Sequence, residues 1–412
     1  MKYYDARETR DPAVREQELL ARLPRQVAHA KAHAPAFAAL LQDVDPAAVT
    51  SREALARLPV LRKSDLLERQ KVARPFGGFA ATGWGTGCAR VFASPGPIYE
   101  PEGARRDYWR LARAFHAAGF RAGDLVHNTF SYHFTPAGSM METAAHALGC
   151  TVFPAGVGQT EQQLAAMLDL RPDAYAGTPS FLRILLDKAA EAGLRLDSLK
   201  KAFVSGEAFP PSQREALAAA GIQAYQAYAT ADLGLIAFET PAREGMVLDE
   251  EVILEIVRPG TGDPVAPGEV GEVVVTTFNP DYPLIRFGTG DLSAVLPGAS
   301  PCGRTNVRIK GWMGRADQTT KVKGMFVHPG QIAQVVRRHP EITRARLVVD
   351  NPELNDRMTL MCEVAGGGSE ALAGAVAASI RELTKLRGEV AFLPTGALAN
   401  DGKVIDDVRT YA

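Results

Sequence analysis

The sequence is poor in cysteine, has no excess of either charge and lacks long apolar runs, and each absence excludes a class of protein. Its four cysteines are scattered along 412 residues without C-x-x-C spacing: Cys88, Cys150, Cys302 and Cys362. This distribution argues against a disulfide framework and for a reducing compartment. Because 46 basic residues balance 47 acidic ones, nucleic acid is not expected as a main partner. With no apolar signal core and no apolar stretch of about 18 residues, we expect a cytoplasmic protein without membrane association.

The residues that are present form a globular pattern with two periodicities. Hydrophobic residues make up 46% of the chain, and this length predicts roughly two to three domains. From about residue 104, strand and helix patterns alternate, beginning with a helix predicted over residues 104–119, and they indicate a mostly parallel sheet covered by helices. After residue 245 the period changes to two in EVILEIV and EVGEVVVTTF, which predicts an antiparallel hairpin and a small β-subdomain.

The pattern changes once more near residue 316. The remaining residues are predicted as a compact unit of two helices and several short strands. The predicted fold class is therefore α/β, with a large N-terminal domain (1–316) of mixed sheets and helices. A hinge joins it to a small C-terminal α+β domain (317–412).

Several common catalytic motifs are absent or incomplete. GWGTG at residues 83–87 is similar to a dinucleotide-binding fingerprint, but Cys88 stands where the third glycine belongs. The sequence contains no G-x-x-x-x-G-K-[ST], no G-x-S-x-G and no H-E-x-x-H. A P-loop enzyme, a lipase, a protease and a zinc hydrolase are therefore not supported.

Four other stretches fit the activation of a carboxylate by ATP. In PLIRFGTGDL, Asp291 follows a glycine turn and could hold both hydroxyls of a ribose, although a plain turn aspartate gives the same pattern. In GRADQTTKVKG, Arg315 could reach phosphate or ribose oxygens and Asp317 could lie at the hinge. A solvated ion pair in a linker is the alternative there.

The other two stretches would supply an ammonium and a carboxylate. In LPTGALANDGKVIDDVR, Lys403 follows a predicted turn and could stabilise negative charge that develops during adenylation, although an ordinary exposed lysine is the default interpretation. In AYQAYATADLG, Tyr228 ends a predicted strand and could stack on a purine, while Asp232 could bind Mg²⁺.

Together, in this order, these stretches resemble the adenylate-forming superfamily, and most closely its phenylacetate–CoA ligase branch. The resemblance covers essentially the whole chain and also includes LPRQVAHAKAHAPAFAALL, LARLPVLRKSDL, GTPSFL, VSGEAF and PCGRT. It implies an AMP-forming acyl–CoA ligase that uses ATP, Mg²⁺, CoA and a small carboxylic acid, with an aromatic acid among the candidates. Two alternatives stay open: an adenylating enzyme that loads a carrier-protein thiol, and a non-catalytic nucleotide or acyl-CoA binding protein. The resemblance also leaves a homodimer open.

The same resemblance implies a role for each matching residue. Asp291 and Arg315 would bind the ribose, Asp317 would be the pivot between domains, and Lys403 would act in adenylation. Tyr228 would stack on adenine and Asp232 would be the Mg²⁺ carboxylate. The residues implied for the two binding pockets are Ser205, Gly206, Glu207 and Ala208 around adenine, and Tyr132, His133 and Phe134 around the acyl group.

The sequence departs from this family in its phosphate loop and in a metal site. The usual S-S-G-T-T-G-K-P has become ASPGPIYEP, which keeps Ser94 and Gly96 but loses the threonine pair and the lysine, and Glu100 would place a negative charge near the triphosphate. Either backbone N–H groups bind the phosphates or ATP binding is weakened. Thr230 could replace a missing phosphate-contacting hydroxyl. Cys302 alone matches a zinc-ligand position of some relatives, because Thr240, Val247 and Ser300 stand at the others, so no zinc is expected.

Overall fold

The computed structural model describes residues 2–94, 96–258, 261–313, 316, 320–323, 325–327, 329–352, 355–399 and 403–410. The chain divides into two compact units, Met1–Met313 and Gly314–Ala412. The functions assigned to the two predicted domains stay predictions. Within the described ranges, no helix combines the length and apolarity that crossing a bilayer requires.

The first unit contains helices that flank several sheets. Its α-helices are α1 (Pro12–His33), α2 (Pro35–Leu40), α3 (Arg52–Ala56), α4 (Lys63–Val72), α5 (Ala112–Ala117), α6 (Ala137–Leu148), α7 (Thr160–Leu170), α8 (Pro179–Glu191) and α9 (Pro211–Ala219). Its strands are β1 (Leu61–Arg62), β2 (Cys88–Ser94), β3 (Ile98–Gly103), β4 (Leu125–Asn128), β5 (Thr151–Pro154), β6 (Ala174–Gly177), β7 (Lys201–Val204), β8 (Gln223–Thr230), β9 (Gly234–Glu239), β10 (Met246–Leu248), β11 (Val252–Val257), β12 (Gly271–Thr277), β13 (Phe287–Ser293), β14 (Val295–Leu296) and β15 (Arg308–Ile309).

The largest sheet has the strand order β14-β15-β10-β9-β8-β7-β6-β4-β5. Its half from β8 to β5 is parallel, as the alternation of strand and helix patterns predicts. Parallel pairing aligns the carboxyl ends of these strands at one edge, where ligands bind in open α/β sheets. Local sequence supports the geometry: Thr178 caps α8 by accepting a hydrogen bond from the Phe181 N–H, and Pro179 is the first helical residue.

A second sheet, ordered β1-β13-β12-β11, forms the β-subdomain. Strands β11 and β12 pair antiparallel with Val252 opposite Thr277, which confirms the predicted hairpin. Both strands are buried along their whole length, because α1 and neighbouring helices cover the sheet with residues such as Leu23 and Val27. A separate two-stranded hairpin joins β2 and β3.

The helix predicted over residues 104–119 is wrong for most of its length, since only α5, Ala112–Ala117, forms. Asp107 and Arg110 have positive φ values of 49° and 65°, which no α-helix contains. Between them, the Trp109 carbonyl accepts a hydrogen bond from the Leu235 N–H (3.0 Å). The segment therefore uses its backbone to pack against β9 instead of closing a helical turn.

The second unit is an α+β structure of its own. A short hairpin precedes a sheet ordered β20-β19-β18-β21, and two helices accompany it, in agreement with the sequence prediction for this region. The elements are β16 (Thr320–Val322), β17 (Met325–Val327), α10 (Pro329–Arg338), β18 (Ile342–Asp350), β19 (Arg357–Val364), α11 (Glu370–Thr384), β20 (Glu389–Leu393) and β21 (Ile405–Asp407).

Candidate active site

The altered phosphate loop lies at the turn of the β2–β3 hairpin, and the side chains of Ser94 and Glu100 beside that turn are buried. Ser94 is buried, and its hydroxyl donates to Glu100 Oε1 while its backbone N–H donates to Glu100 Oε2 (3.2 Å). Glu100 is fully buried. Burial and the negative charge of Asp232 raise the pKa of Glu100 to about 8, although Lys63 and the Ser94 hydrogen bonds oppose the shift. A pKa above neutral keeps most of this carboxyl group protonated at pH 7, so it carries little of the expected negative charge.

Lys63 is a candidate site residue that the motif analysis missed. It is the first residue of α4, and its Nζ lies 2.8 Å from Asp232 Oδ2 and 3.4 Å from Ser94 Oγ. An ammonium group thus stands beside the loop that has lost its own lysine. The only sequence signal was the stretch LARLPVLRKSDL, which belongs to the family resemblance but contains no motif of known chemistry.

Helix α4 also holds the hairpin through a second residue. The Gln70 side chain is buried, donates to the Tyr99 carbonyl (2.8 Å) and accepts from the Tyr99 N–H (2.8 Å). This pair of hydrogen bonds replaces the partners that a neighbouring strand would give Tyr99. Lys63 and Gln70 thereby attach one helix to two points of the hairpin.

Asp232, the predicted Mg²⁺ carboxylate, lies two residues beyond β8 and is buried. Lys63 occupies its Oδ2, whereas its Oδ1 is inaccessible to solvent and has no hydrogen-bond partner among the described residues. A buried carboxylate oxygen without a donor carries a large desolvation cost. One oxygen in this state fits a cation that takes one carboxylate from the protein and other ligands from phosphate and water.

Asp291 and Tyr228, predicted to contact ribose and adenine, are in direct contact. The Tyr228 hydroxyl donates to Asp291 Oδ2 (2.8 Å) and lies 3.0 Å from Thr289 Oγ1, and all three residues are buried. The indole Nε1 of Trp312 donates to the other oxygen, Asp291 Oδ1 (3.0 Å). Trp312 had no role in the sequence analysis. An ionised carboxylate offers about four acceptor positions, and these two donors use one on each oxygen.

The segment predicted to line the adenine pocket follows β7 directly. Ser205 Oγ donates to the Ala227 carbonyl of β8 (3.0 Å), and Glu207 Oε1 accepts from the Ser180 N–H at the start of α8 (2.7 Å). Gly206 has a φ of 87°, a conformation that favours glycine. Gly206 and Glu207 are exposed and Ala208 is partly exposed, so the segment forms an accessible rim at the carboxyl edge of the sheet.

The predicted acyl-pocket residues follow β4, and one of them, Phe134, contacts the hairpin. Asn128 Nδ2 donates to the Tyr132 hydroxyl (2.8 Å), and burial together with Glu142 raises the pKa of that tyrosine. His133 is exposed. Phe134 is 82% exposed with a φ of 61°, and its carbonyl accepts from the Ala93 N–H of β2 (2.7 Å). A bulky residue with positive φ is strained, and such strain is concentrated at functional sites.

The other residues predicted for the site are not part of the contacts described so far. Arg315 and Asp317 lie outside the described residues. Lys403 lies in the second unit, half exposed, with its Nζ 2.9 Å from Asp406 Oδ1. Thr230 Oγ accepts from the Leu233 N–H (3.1 Å) in its own turn, and Gly96 belongs to the tight loop between β2 and β3. The roles predicted for these residues stay predictions.

Cys302 lies in a hydrogen-bonded cluster instead of a set of metal ligands. Ser300 Oγ is 3.1 Å from its Sγ and Arg304 Nη1 donates to it at 3.5 Å. Burial would raise the pKa of Cys302, but hydrogen bonds from Ser300, Thr240 and Arg304 lower it to about 7. In the described part of the chain no three His, Cys, Asp or Glu side chains are placed to share a metal ion. The expectation that the protein lacks zinc stays a prediction.

The sequence is similar to those of known AMP-binding enzymes. The sequence profile of the AMP-binding enzyme family matches residues 105–279, which include β4 to β12 and the Asp232 turn. The phenylacetate-coenzyme A ligase of Thermus thermophilus is 31% identical over 393 residues, covering 90% of this chain and 87% of that protein. The enzyme of the same name from Aromatoleum evansii is 32% identical over 363 residues, covering 84% and 80% of the two chains.

The chain therefore belongs to the phenylacetate–coenzyme A ligase family of AMP-binding enzymes. This confirms the predicted family and, at the level of the family, an AMP-forming carboxylate–CoA ligase. A crystal structure of 2-hydroxyisobutyryl-CoA ligase in complex with 2-HIB-AMP and CoA is 24% identical and has a TM-score of 0.82, covering 99% of this chain and 93% of that one. That likeness confirms the predicted fold class.

Proposed function

We propose that this protein joins a small carboxylic acid to CoA through an acyl-adenylate. In the first step an oxygen of the acid attacks the α-phosphorus of ATP, and pyrophosphate leaves. In the second step the thiol sulfur of CoA loses its proton and attacks the acyl carbon, and AMP leaves. Relatives named phenylacetate-coenzyme A ligase support this assignment, and so does the arrangement of charged groups at the phosphate loop.

The observation that carries the proposal is the position of Lys63 between Ser94 and Asp232. A triphosphate needs positive charge and hydrogen-bond donors, and the altered loop offers neither a lysine nor a threonine pair. Lys63 supplies the ammonium from α4. Because burial and the nearby Asp232 raise the pKa of Glu100 above neutral, that residue repels the phosphates less than an ionised glutamate would. The loop can then contribute backbone N–H groups, as turns that bind anions do.

A magnesium ion fits the same place. Asp232 Oδ1 is buried and has no hydrogen-bond donor among the described residues, and it would be the protein's ligand to Mg²⁺. When bound, Mg²⁺ would neutralise charge on the triphosphate and orient it. Lys63, on the other oxygen of Asp232, holds that carboxylate in place.

The remaining predicted residues complete the proposal. Asp291 would accept hydrogen bonds from the ribose, and the rim formed by residues 205–208 would border the adenine. Arg315 would add a ribose or phosphate contact, Asp317 would act as the pivot, and Lys403 would stabilise the charge that develops at the α-phosphate. The acid would lie beside Tyr132 and Phe134, whose aromatic side chains favour an aromatic substrate. A cytoplasmic location and a homodimer remain expectations.

The test is pyrophosphate release with a panel of carboxylic acids, each assayed with and without CoA. Acid-dependent release together with a CoA thioester, identified by mass spectrometry, is the expected result. Acid-dependent release that leaves CoA unacylated would favour a carrier-protein acceptor. Nucleotide binding without any pyrophosphate release would refute an active ligase.

A further inference from the structure

Trp312 contacts the predicted ribose-binding carboxylate, and nothing in the family resemblance gives it a role. Its indole Nε1 donates to Asp291 Oδ1 (3.0 Å), while the Tyr228 hydroxyl donates to Asp291 Oδ2 (2.8 Å). Two aromatic side chains thus hold the two oxygens of one buried carboxylate. A hydrogen bond to an ionised group is stronger than one between neutral groups, so both donors restrict the carboxylate.

The backbone around Trp312 explains why the indole reaches this carboxylate. The Met313 N–H donates to the Leu292 carbonyl (2.9 Å), and Ser293 Oγ donates to the Gly311 carbonyl (2.7 Å). The residues on both sides of Trp312 are therefore attached to the two residues that follow Asp291 in β13. This pairing fixes the register between the two segments, and it sets the indole against Asp291.

The chemical consequence concerns the rotation of the Asp291 carboxylate. The terminal torsion of an aspartate is broad and roughly two-fold, so a carboxylate without donors rotates easily. With the Tyr228 hydroxyl on one oxygen and the Trp312 indole on the other, the plane of the carboxylate is set, and so are the directions of its lone pairs. Two neighbouring hydroxyls, such as the 2′ and 3′ hydroxyls of a ribose, match two acceptors held in this way.

We propose that Trp312 is a positioning residue that orients Asp291 and thereby makes the site prefer a ribonucleotide over a 2′-deoxyribonucleotide. This inference rests on the proposed function, in which Asp291 binds the ribose of ATP. Trp312 acts through Asp291 and needs no contact with the nucleotide. Its side chain is 44% exposed, and a phenylalanine in its place keeps an aromatic ring over the covered surface.

The experiment measures the dissociation constants of ATP and 2′-deoxy-ATP by isothermal titration calorimetry for the intact chain and its variants. Trp312→Phe removes the N–H donor and keeps an aromatic ring. We expect it to lower the preference for ATP over 2′-deoxy-ATP by about 5-fold, the factor that corresponds to about 1 kcal/mol, the typical net contribution of one hydrogen bond. Trp312→His keeps a ring N–H and should retain more of the preference than the phenylalanine variant. Trp84→Phe is the matched control, since Trp84 is 66% exposed and packs near Phe76, and it should leave both constants unchanged.

The possible outcomes separate a failure of the Trp312 inference from a failure of the proposed function. A parent protein that binds neither nucleotide refutes the proposed function and this inference together. A parent that binds both nucleotides equally well refutes the ribose role of Asp291, and the inference fails with it. If the parent prefers ATP and Trp312→Phe keeps the full preference, or weakens both nucleotides by the same factor, only the inference is overturned.

Discussion

Replacing Glu100 with glutamine should stabilise this protein, and the gain should depend on pH. Glu100 is buried beside Asp232 and accepts two hydrogen bonds from Ser94. Glutamine has the size of a protonated glutamic acid, can accept from the Ser94 N–H, and never ionises. The substitution therefore removes one property of the parent side chain, the cost of ionising it in a buried site next to another carboxylate.

The sign and the size follow from the raised pKa of Glu100. Its pKa rises from an ordinary 4.5 to about 8 in the folded protein, so the unfolded state loses this proton first as the pH increases. Below pH 4.5 both states are protonated and the group contributes nothing. Between pH 4.5 and 8 the parent loses about 1.4 kcal/mol of stability per pH unit. Above pH 8 the loss is constant, at most about 5 kcal/mol.

The assay is urea unfolding of the parent and Glu100→Gln at half-unit steps from pH 5 to pH 9. The advantage of the variant should be small at pH 5, grow steadily to pH 8 and then level off. Glu102→Gln is the matched control on the same strand, because Glu102 is also buried but pairs with Arg90 (3.2 Å) and accepts from Ser139. That variant should lose stability. A difference between parent and Glu100→Gln that is flat across the range would refute the reasoning.

Three further changes test other parts of the site. Lys63→Met should weaken ATP binding by about 10- to 100-fold, the effect of losing a charged hydrogen-bond donor, and leave adenosine binding unchanged. The control Lys71→Met, on the exposed end of α4, should change the affinity for neither ligand. Calorimetry measures both affinities, and equal losses for ATP and adenosine would contradict the phosphate role. Phe134→Asn should raise the free energy of unfolding by about 1 kcal/mol, because asparagine tolerates the positive φ better, and a decrease in urea midpoint would contradict the strain argument. Lys403→Ala should suppress acyl-AMP formation and spare thioester formation from supplied acyl-AMP; equal loss in both half-reactions would disprove its role in adenylation.

Regular parts of the fold could be predicted from the sequence because their signals are local. Strands β11 and β12 carry β-branched residues with a turn between them, and the hairpin follows from that pattern. Residues 104–111 have an apolar spacing that favours a helix, yet the Trp109 carbonyl pairs with β9. That partner is more than 120 residues away in sequence, so no local pattern could indicate it.

Some residues of the candidate site could likewise be predicted from local motifs, and others depend on distant contacts. Asp291 lies in β13 and Tyr228 in β8, each within a recognisable motif, and the structure brings them into contact. Lys63 could not be predicted, because an isolated lysine at a helix start has no motif and its partners Ser94 and Asp232 come from distant segments. The charge state of Glu100 could also not be predicted from the sequence, since it depends on burial and on Asp232, which is 132 positions away.

The attachment of α4 to the hairpin through Gln70 and Tyr99 affects which substitutions the phosphate loop tolerates. A loop that must itself provide the phosphate-binding cation cannot mutate freely. In the proposed function that cation is Lys63 on α4, and the helix holds the hairpin through backbone atoms of Tyr99, which every residue type except proline provides. Side chains in the loop other than Ser94, which contacts Lys63, can then be exchanged without moving that lysine.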